Sequence, residues 1–383
     1  MTPTNAQDLL RRALAVLERH EPEMADAPST IPVADYLDAE RFERERTLLR
    51  RWPQPVAAAD VLRAPGSHVS TDRLGVPLLV VRGDDGVLRA FVNVCRHRGA
   101  RIVPPGTGQG SDRFACPYHA WTYGLDGRLR GVPQQVGFPS LDREAAGLRP
   151  LAVTERAGAV WVVPDTRCAA IDAGALLAPL ADELDTMGFG THAGFDPRTI
   201  ERRCNWKLLA DGSFEAYHFK VAHRATIAQM FADNVQIVDE LGPHRRLFLV
   251  KASLDPTRPP AAEHFQPRQH GNLIYFFFPN TFFLVQVDHA QLSSVEPLAP
   301  ETTRVHELTL IPDPPATDKA LGHWQRNVAL YRATLAEDHA LAESIQAGLA
   351  SGANSALTFG RFEFAAVRFH AQLDAALRSD VPG

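Results

Sequence analysis

Between Asn205 and His223 the chain reads NWKLLADGSFEAYHFKVAH, and further on it carries the pair Glu337-Asp338. Trp206, Leu209, Phe214, Tyr217 and Val221 recur at helical spacing, which predicts an amphipathic helix packed on a core. Four polar groups fall among them, Asp211, Glu215, His218 and His223, and of these His218 shares the stripe of Phe214 and Val221. Histidines five apart do not share one face of a regular helix. Both can reach one ion only if the helix widens into a π-turn or ends between them. In the segment from about Thr317 to Leu349, Trp324, Val328, Tyr331, Leu335, Leu341 and Ile345 form a second stripe. Asp338 lies on it, whereas Glu337 is turned away by about a hundred degrees. An ionised carboxylate facing a core is costly unless paired or metal-bound. Two histidines and one carboxylate are the facial ligand set of non-haem Fe(II) centres, with positions left open for dioxygen. The same residues would also serve as hydrogen-bonded core histidines beside a salt-bridged aspartate, so a second observation has to decide.

That observation lies upstream, in Cys95-Arg96-His97 and Cys116-Pro117-Tyr118-His119. Each pair is one thiol and one imidazole. A structural zinc site is the competing reading, but zinc pairs are usually like with like, C-x2-4-C and H-x3-5-H. Mixed pairs suit a [2Fe-2S] cluster with both cysteines on one iron and both histidines on the other, the Rieske arrangement, whose raised potential suits one-electron transfer. Cys168 and Cys204 have no comparable partners and read as small buried residues.

The elements that must position these residues follow from the rest of the chain. At 383 residues there is room for two or three domains. Thr4-x-x-Gln7 is a capping box opening a helix to about His20, and a second helix spans about Asp38 to Trp52. From about Val56 to Pro164 short β runs alternate with turns: Val76–Arg82 and Val87–Asn93 flank Asp84-Asp85-Gly86, Trp121–Leu125 and Arg128–Arg130 flank Asp126-Gly127, and Leu151–Glu155 and Val160–Val163 flank Ala157-Gly158. Helical material to about Met187 follows. Arg246–Ala252, Leu273–Phe278, Thr281–Val287 and Thr303–Ile311 then predict an apolar antiparallel sheet, and the long helix closes it. The net charge of −5 argues against a nucleic-acid or anionic-membrane partner. The longest apolar run, Leu273 to Val287, is broken by Pro279-Asn280 and is too short to span a bilayer. Four cysteines make no disulfide framework, and with no secretion signal visible the expected compartment is the cytoplasm.

On the motifs CRH…CPYH, NWK…E-x-YH-x4-H, ED-x2-L-x-E-x-IQ from Glu337 and GRFE…FH from Gly360 to His370, the chain resembles the terminal oxygenase (alpha) subunits of Rieske non-haem iron ring-hydroxylating oxygenases, over essentially its full length. The resemblance implies an α+β fold: an all-β Rieske [2Fe-2S] domain at 52–164, and at 165–383 a helix-grip (START/Bet v1-like) catalytic domain with an antiparallel sheet around a long helix. The helices of 1–51 would pack on the latter. It implies that Cys95, His97, Cys116 and His119 hold the [2Fe-2S] cluster and that His218, His223 and Asp338 hold mononuclear Fe(II). Glu215 matches the acid that joins the two centres across a subunit boundary, and Asp211 is the second candidate catalytic acid. The chain has Asp211-Gly212 where the family often has an acid followed by asparagine, so no amide stands beside Asp211.

The implied reaction is reductive activation of O2 on an aromatic or other small organic substrate: mono- or dioxygenation, or oxidative demethylation. Electrons come from NAD(P)H through a separate reductase, in some systems with a ferredoxin. A homotrimer is implied, with the chain length favouring an alpha-only form over one with a beta subunit. The Phe-rich strands would line an apolar substrate cavity, and Lys220 and Arg224 could attract a carboxylate. Two other classes compete: an electron-transfer protein without oxygenase activity, which needs only 52–164, and a non-enzymatic ligand binder, which needs no cluster.

Overall fold

The protein, described here from a computed structural model over residues 3–379, folds back at several turns of positive φ. Leu74-Gly75 (φ 52° and 76°) and Ala157-Gly158 (φ 52° and 75°) are two-residue turns left-handed at both positions, the type whose twist matches paired strands. They join His68–Arg73 to Val76–Arg82 and Val153–Arg156 to Ala159–Val162.

The chain divides into two compact units, Leu49–Gly194 and Met1–Leu48 with Phe195–Gly383. In the first, a five-stranded sheet runs in the order Pro150–Leu151, Leu88–Val92, Val76–Arg82, His68–Arg73, Gly106–Gly108. A three-stranded sheet packs against it through Val56, Val69, Leu78, Val80 and Val160. A second small sheet, Arg113–Ala115, Thr122–Gly124 and Leu129–Gly131, covers a separate core that includes Cys95 and Cys116. The expected boundary after Pro164 falls short. Cys168, Ile171 and Ala173 pack on Ala152 and Val163, and Arg156 bridges to Asp182 and Asp185, both at 2.5 Å, so the segment to Gly194 is fastened to the β unit.

The second unit is a seven-stranded sheet in the order Ala193–Arg202, Thr302–Ile311, Ala290–Ala299, Thr281–Val285, Gly271–Phe277, His244–Lys251, Phe231–Leu241, with the helix Asp318–Ala350 packed against it. Residues paired directly across antiparallel strands share a face. One inner row therefore reads Ile274, Leu284, Gln291, Thr309, and the next Phe276, Phe282, Ser293, Glu307. Thr317 caps the long helix, its hydroxyl accepting from Ala320 N at 3.2 Å.

Two helix readings change. The first helix starts at Pro3, so Thr4 lies inside it rather than capping it; proline at a first helical position is pre-set in φ and has no N–H to lose. The helix expected from Asn205 to His223 is two pieces, Trp206–Gly212 and the single turn Phe219–Ala222. Asn205 caps the first, accepting from Lys207 N at 3.0 Å, and the break follows Gly212, where helix propensity is low. As a result Tyr217 and Val221 do not continue the apolar stripe; they are 57% and 74% exposed.

Trp206 and Lys207 are fixed by one buried acid. Glu45, fully buried, accepts from Lys207 Nζ at 2.6 Å, Trp206 Nε1 at 2.8 Å and Arg41 Nε at 2.9 Å. Glu45→Ala strands a buried ammonium, an effect of about 3–5 kcal/mol. Urea unfolding of the variant should show that loss, with partial recovery in Glu45→Ala/Lys207→Met; a change below about 1 kcal/mol would rule out the pairing as the source of order there.

Candidate metal centres and cavity

Two loops in the β unit are near-copies. Cys95 N donates to Ala100 O (2.8 Å) and Gly99 N to Cys95 O (3.0 Å); Cys116 N donates to Trp121 O (2.8 Å) and Ala120 N to Cys116 O (2.9 Å). The residue four after each cysteine, Gly99 or Ala120, is left-handed, which turns each loop back over its cysteine. Both thiols are buried, and all four cysteines are free. The His97 and His119 rings lie 4.8 Å apart, and His97 stacks on Trp121 with an interplanar angle of 6°. His119 Nδ1 is buried with no hydrogen-bond partner, while its Nε2 pairs with Arg98 Nη2 at 3.0 Å. Burial, then the charges of Arg98 and His97, push the His119 pKa down and keep the ring neutral, as a ligand must be. Tyr123 OH receives Arg96 N at 3.0 Å and lies 3.4 Å from Cys95 Sγ. Two thiols and two imidazoles on facing loops, with an orphaned buried nitrogen, fit a Rieske cluster.

In the catalytic unit His218 and His223 flank the single turn Phe219–Ala222. Of the two geometries open from the sequence, the chain uses the helix end. Their Nε2 atoms are 3.1 Å apart, and Asp338 Oδ1 lies 3.5 Å from one and 3.1 Å from the other. Ligands about 2.1 Å from an ion at right angles sit roughly 3 Å apart, so the three atoms fit one face of an iron site. Each far nitrogen is held by an acid: His218 Nδ1 donates to Glu215 Oε1, and His223 Nδ1 to Glu337 Oε2 at 2.9 Å. These contacts fix the tautomer that leaves Nε2 free for metal. Burial opposes protonation of His218, but Asp338 and Glu215 outweigh it and raise its pKa to about 9. The same surroundings favour a bound divalent cation in the proton's place.

Glu337 was expected to point away, and it does not. It reaches His223 because that ligand comes from another element, at the flank of the long helix; Thr226 Oγ1 also donates to it at 2.6 Å. The adjacent Glu-Asp pair was the available signal. Glu337→Ala should weaken iron retention about 10–100-fold in a chelator competition while the visible cluster bands persist. Full retention would show that Glu337 does not orient His223.

Asp211 is tied on both oxygens, accepting from Tyr36 OH at 2.7 Å and His370 Nε2 at 2.8 Å, which also explains the terminal His370 of the GRFE…FH motif. Lys220 is an exposed partner of Asp233, and Arg224 is exposed; neither lines the cavity.

That cavity, about 420 Å³, opens onto Glu215, His218 and Asp338 from between the long helix and the sheet. Ile274, Phe282 and Leu284 line it as expected of the Phe-rich strands. Leu341 and Ile345, expected in the core, are 47% and 43% exposed because they form its wall rather than packing against protein. A smaller lobe of about 140 Å³ touches His218, His223 and Asp338 from the side of Phe219, Phe231 and Asn272.

With this geometry in view, two family models match: the Rieske [2Fe-2S] domain over residues 52–142 and the ring hydroxylating alpha subunit (catalytic domain) over residues 189–379. The glycine betaine monooxygenase oxygenase subunit of Chromohalobacter salexigens is 31% identical over 350 residues, covering 80% of this chain and 76% of that protein. The carnitine monooxygenase oxygenase subunit of Acinetobacter baumannii is 31% identical over 345 residues, covering 85% and 86%. Among solved structures, the quaternary ammonium Rieske monooxygenase CntA in complex with L-carnitine superposes with a TM-score of 0.75 at 26% identity, covering 97% of each chain. Naphthalene 1,2-dioxygenase from Rhodococcus sp. shares the fold, with a TM-score of 0.74 at 20% identity over 98% of this chain and 99% of that one. Cluster loops, iron triad, cavity and relatives agree: the chain belongs to the ring-hydroxylating alpha-subunit family and is the oxygenase component of a Rieske non-haem iron system.

Proposed function

We propose that the chain oxidises a small molecule bearing a methylated ammonium group, hydroxylating a carbon next to the nitrogen so that the adduct collapses to an amine and a carbonyl compound. The observation that carries this is the chemistry of the cavity wall. It combines the aromatic rings of Phe282, Tyr331 and Phe359 with the carboxylates of Asp211, Glu215 and Glu363, and among the described residues no lysine or arginine lines it. Rings and carboxylates with no lysine or arginine among them favour a cationic guest. The relatives named for glycine betaine and carnitine support the same class. An apolar aromatic guest is the second reading, favoured by the aliphatic wall of Leu335, Leu341 and Ile345.

Cys95, His97, Cys116 and His119 would hold the cluster, and His218, His223 and Asp338 the iron. When bound, the cluster supplies electrons singly and the iron supplies open positions for reductive O2 activation. The chain's own part is to hold Nδ1 of each histidine through Glu215 and Glu337, to wall the substrate off from water, and to present its reactive carbon to the triad. We assign the electron supply to NAD(P)H through a separate reductase, with or without a ferredoxin, and the assembly to a homotrimer in which Glu215 faces His119 of the adjoining chain. A cytoplasmic site fits four free cysteines, and no helix among the described residues is long and apolar enough to cross a membrane.

The test is single turnover of chemically reduced protein with 18O2, which needs no reductase, against trimethylammonium and aromatic compounds. Stoichiometric carbonyl release from the former carries the reading; an 18O-labelled arene product with no reaction of any ammonium compound replaces it with the second.

A further inference from the structure

The sheet wall of the cavity carries a polar group that core packing does not require. Gln291 is 1% exposed and lines the cavity from the strand Ala290–Ala299. Its Oε1 is occupied, accepting from Gln286 Nε2 at 2.8 Å, but its Nε2 is buried with no hydrogen-bond partner. A buried amide N–H left unpaired is costly, so such a group is retained where something else completes it. Its neighbours add to the same side of the ledger of donors. His339 also lines the cavity; Arg202 Nε donates to its Nδ1 at 3.0 Å, which places the ring proton on Nε2. Ser293, two residues along the same face as Gln291, also lines the cavity, as does Tyr331 from the long helix.

Resting on the ammonium reading for the other end of the molecule, we infer that the Gln291 amide recognises a hydrogen-bond-accepting oxygen on the substrate, and that this oxygen is uncharged. The donors are neutral, and among the described residues no lysine or arginine on the wall offers a counter-charge, while Asp211, Glu215 and Glu363 face the same space. A carbonyl or ether oxygen satisfies the amide; a carboxylate would enter a pocket already lined with carboxylates. Asp338 lines the cavity from the long helix and His218 from its own turn, with Gln291 on the sheet wall, so a guest spanning the cavity is held at one end and presents the other to the iron ligands. Gln291 is thus a specificity-determining residue.

The test is calorimetric titration of iron-loaded, oxidised protein under nitrogen with three near-isosteric trimethylammonium ions: 2-oxopropyl (neutral acceptor), propyl (no acceptor) and glycine betaine (carboxylate). Acetophenone and isopropylbenzene form a parallel pair without the cation. The expected result is the oxopropyl compound at least about tenfold tighter than both other ions, with that preference over propyl falling to about one in Gln291→Leu and below one in Gln291→Glu. Equal affinity of oxopropyl and propyl in the wild type overturns the inference whether or not either variant folds. Tighter glycine betaine overturns the assignment of an uncharged oxygen. If only the aromatic pair binds, and acetophenone wins through Gln291, the ammonium reading falls while this one stands; if none of the five binds, both fall.

Discussion

Asp338→Ala should empty the mononuclear site and abolish turnover while leaving the visible cluster bands unchanged. Asp338 Oδ1 lies within 3.5 Å of both histidine Nε2 atoms and is the carboxylate of the His218–His223–Asp338 group. Without it two imidazoles remain, and a two-ligand site does not hold Fe(II) against buffer. The cluster loops lie in Leu49–Gly194 and the triad in the other compact unit, so the loss should be confined to one centre. Iron analysis with visible and EPR spectra of the variant checks this: about one iron per chain should go and the [2Fe-2S] signal should stay. Loss of the cluster signal in a folded Asp338→Ala protein would contradict the division into two independent sites.

Glu215→Gln is expected to have the second largest effect, by a different route. Glu215 accepts from both the backbone N and Nδ1 of His218. Glutamine retains one acceptor oxygen at the same reach, so His218 stays oriented and both metals should remain. What changes is the negative charge proposed to accept from His119 of the adjoining chain, whose Nε2 would carry the ring proton once Nδ1 is a cluster ligand, with Arg98 giving up its contact to that nitrogen. Oxidation of the reduced cluster on adding substrate and O2 should then lose most of its rate, read by single-turnover absorbance of the variant. A wild-type rate would show that no such bridge operates. Analytical ultracentrifugation of both proteins accompanies the measurement, because full turnover by a monomer would contradict the trimer on which the bridge depends.

The candidate ligands were legible because their types and spacing weigh against the alternatives: zinc pairs are usually like with like, a carboxylate on an apolar stripe needs a partner, and the cluster motif tips the second site from salt bridge to iron. The paired strands around Asp84-Asp85-Gly86, Asp126-Gly127 and Ala157-Gly158 were legible from turn residues, and they pair as read. What stayed hidden shares one cause, that periodicity within an element says nothing about what another element brings to it. Glu337 is off the stripe of its own helix, yet it meets His223, which arrives on a separate turn. Tyr217 and Val221 keep helical spacing with Trp206, but the break after Gly212 rotates them into solvent. The strand Ala290–Ala299 escaped notice because its inner face carries Gln291 and Ser293, polar residues that serve a cavity and not a core. Asp211 is a candidate catalytic acid whose partners were not legible: its oxygens are engaged by Tyr36 and His370, about 160 residues or more away in sequence.

The central claim is that one chain carries two different iron centres. Quantifying iron and acid-labile sulfide on anaerobically purified, cluster-replete protein tests it most directly. The account predicts about three irons and two sulfides per chain, one iron being removable by a mild chelator without bleaching the visible spectrum. Two irons and two sulfides, with no further Fe(II) bound on titration, would contradict it and leave an electron-transfer protein.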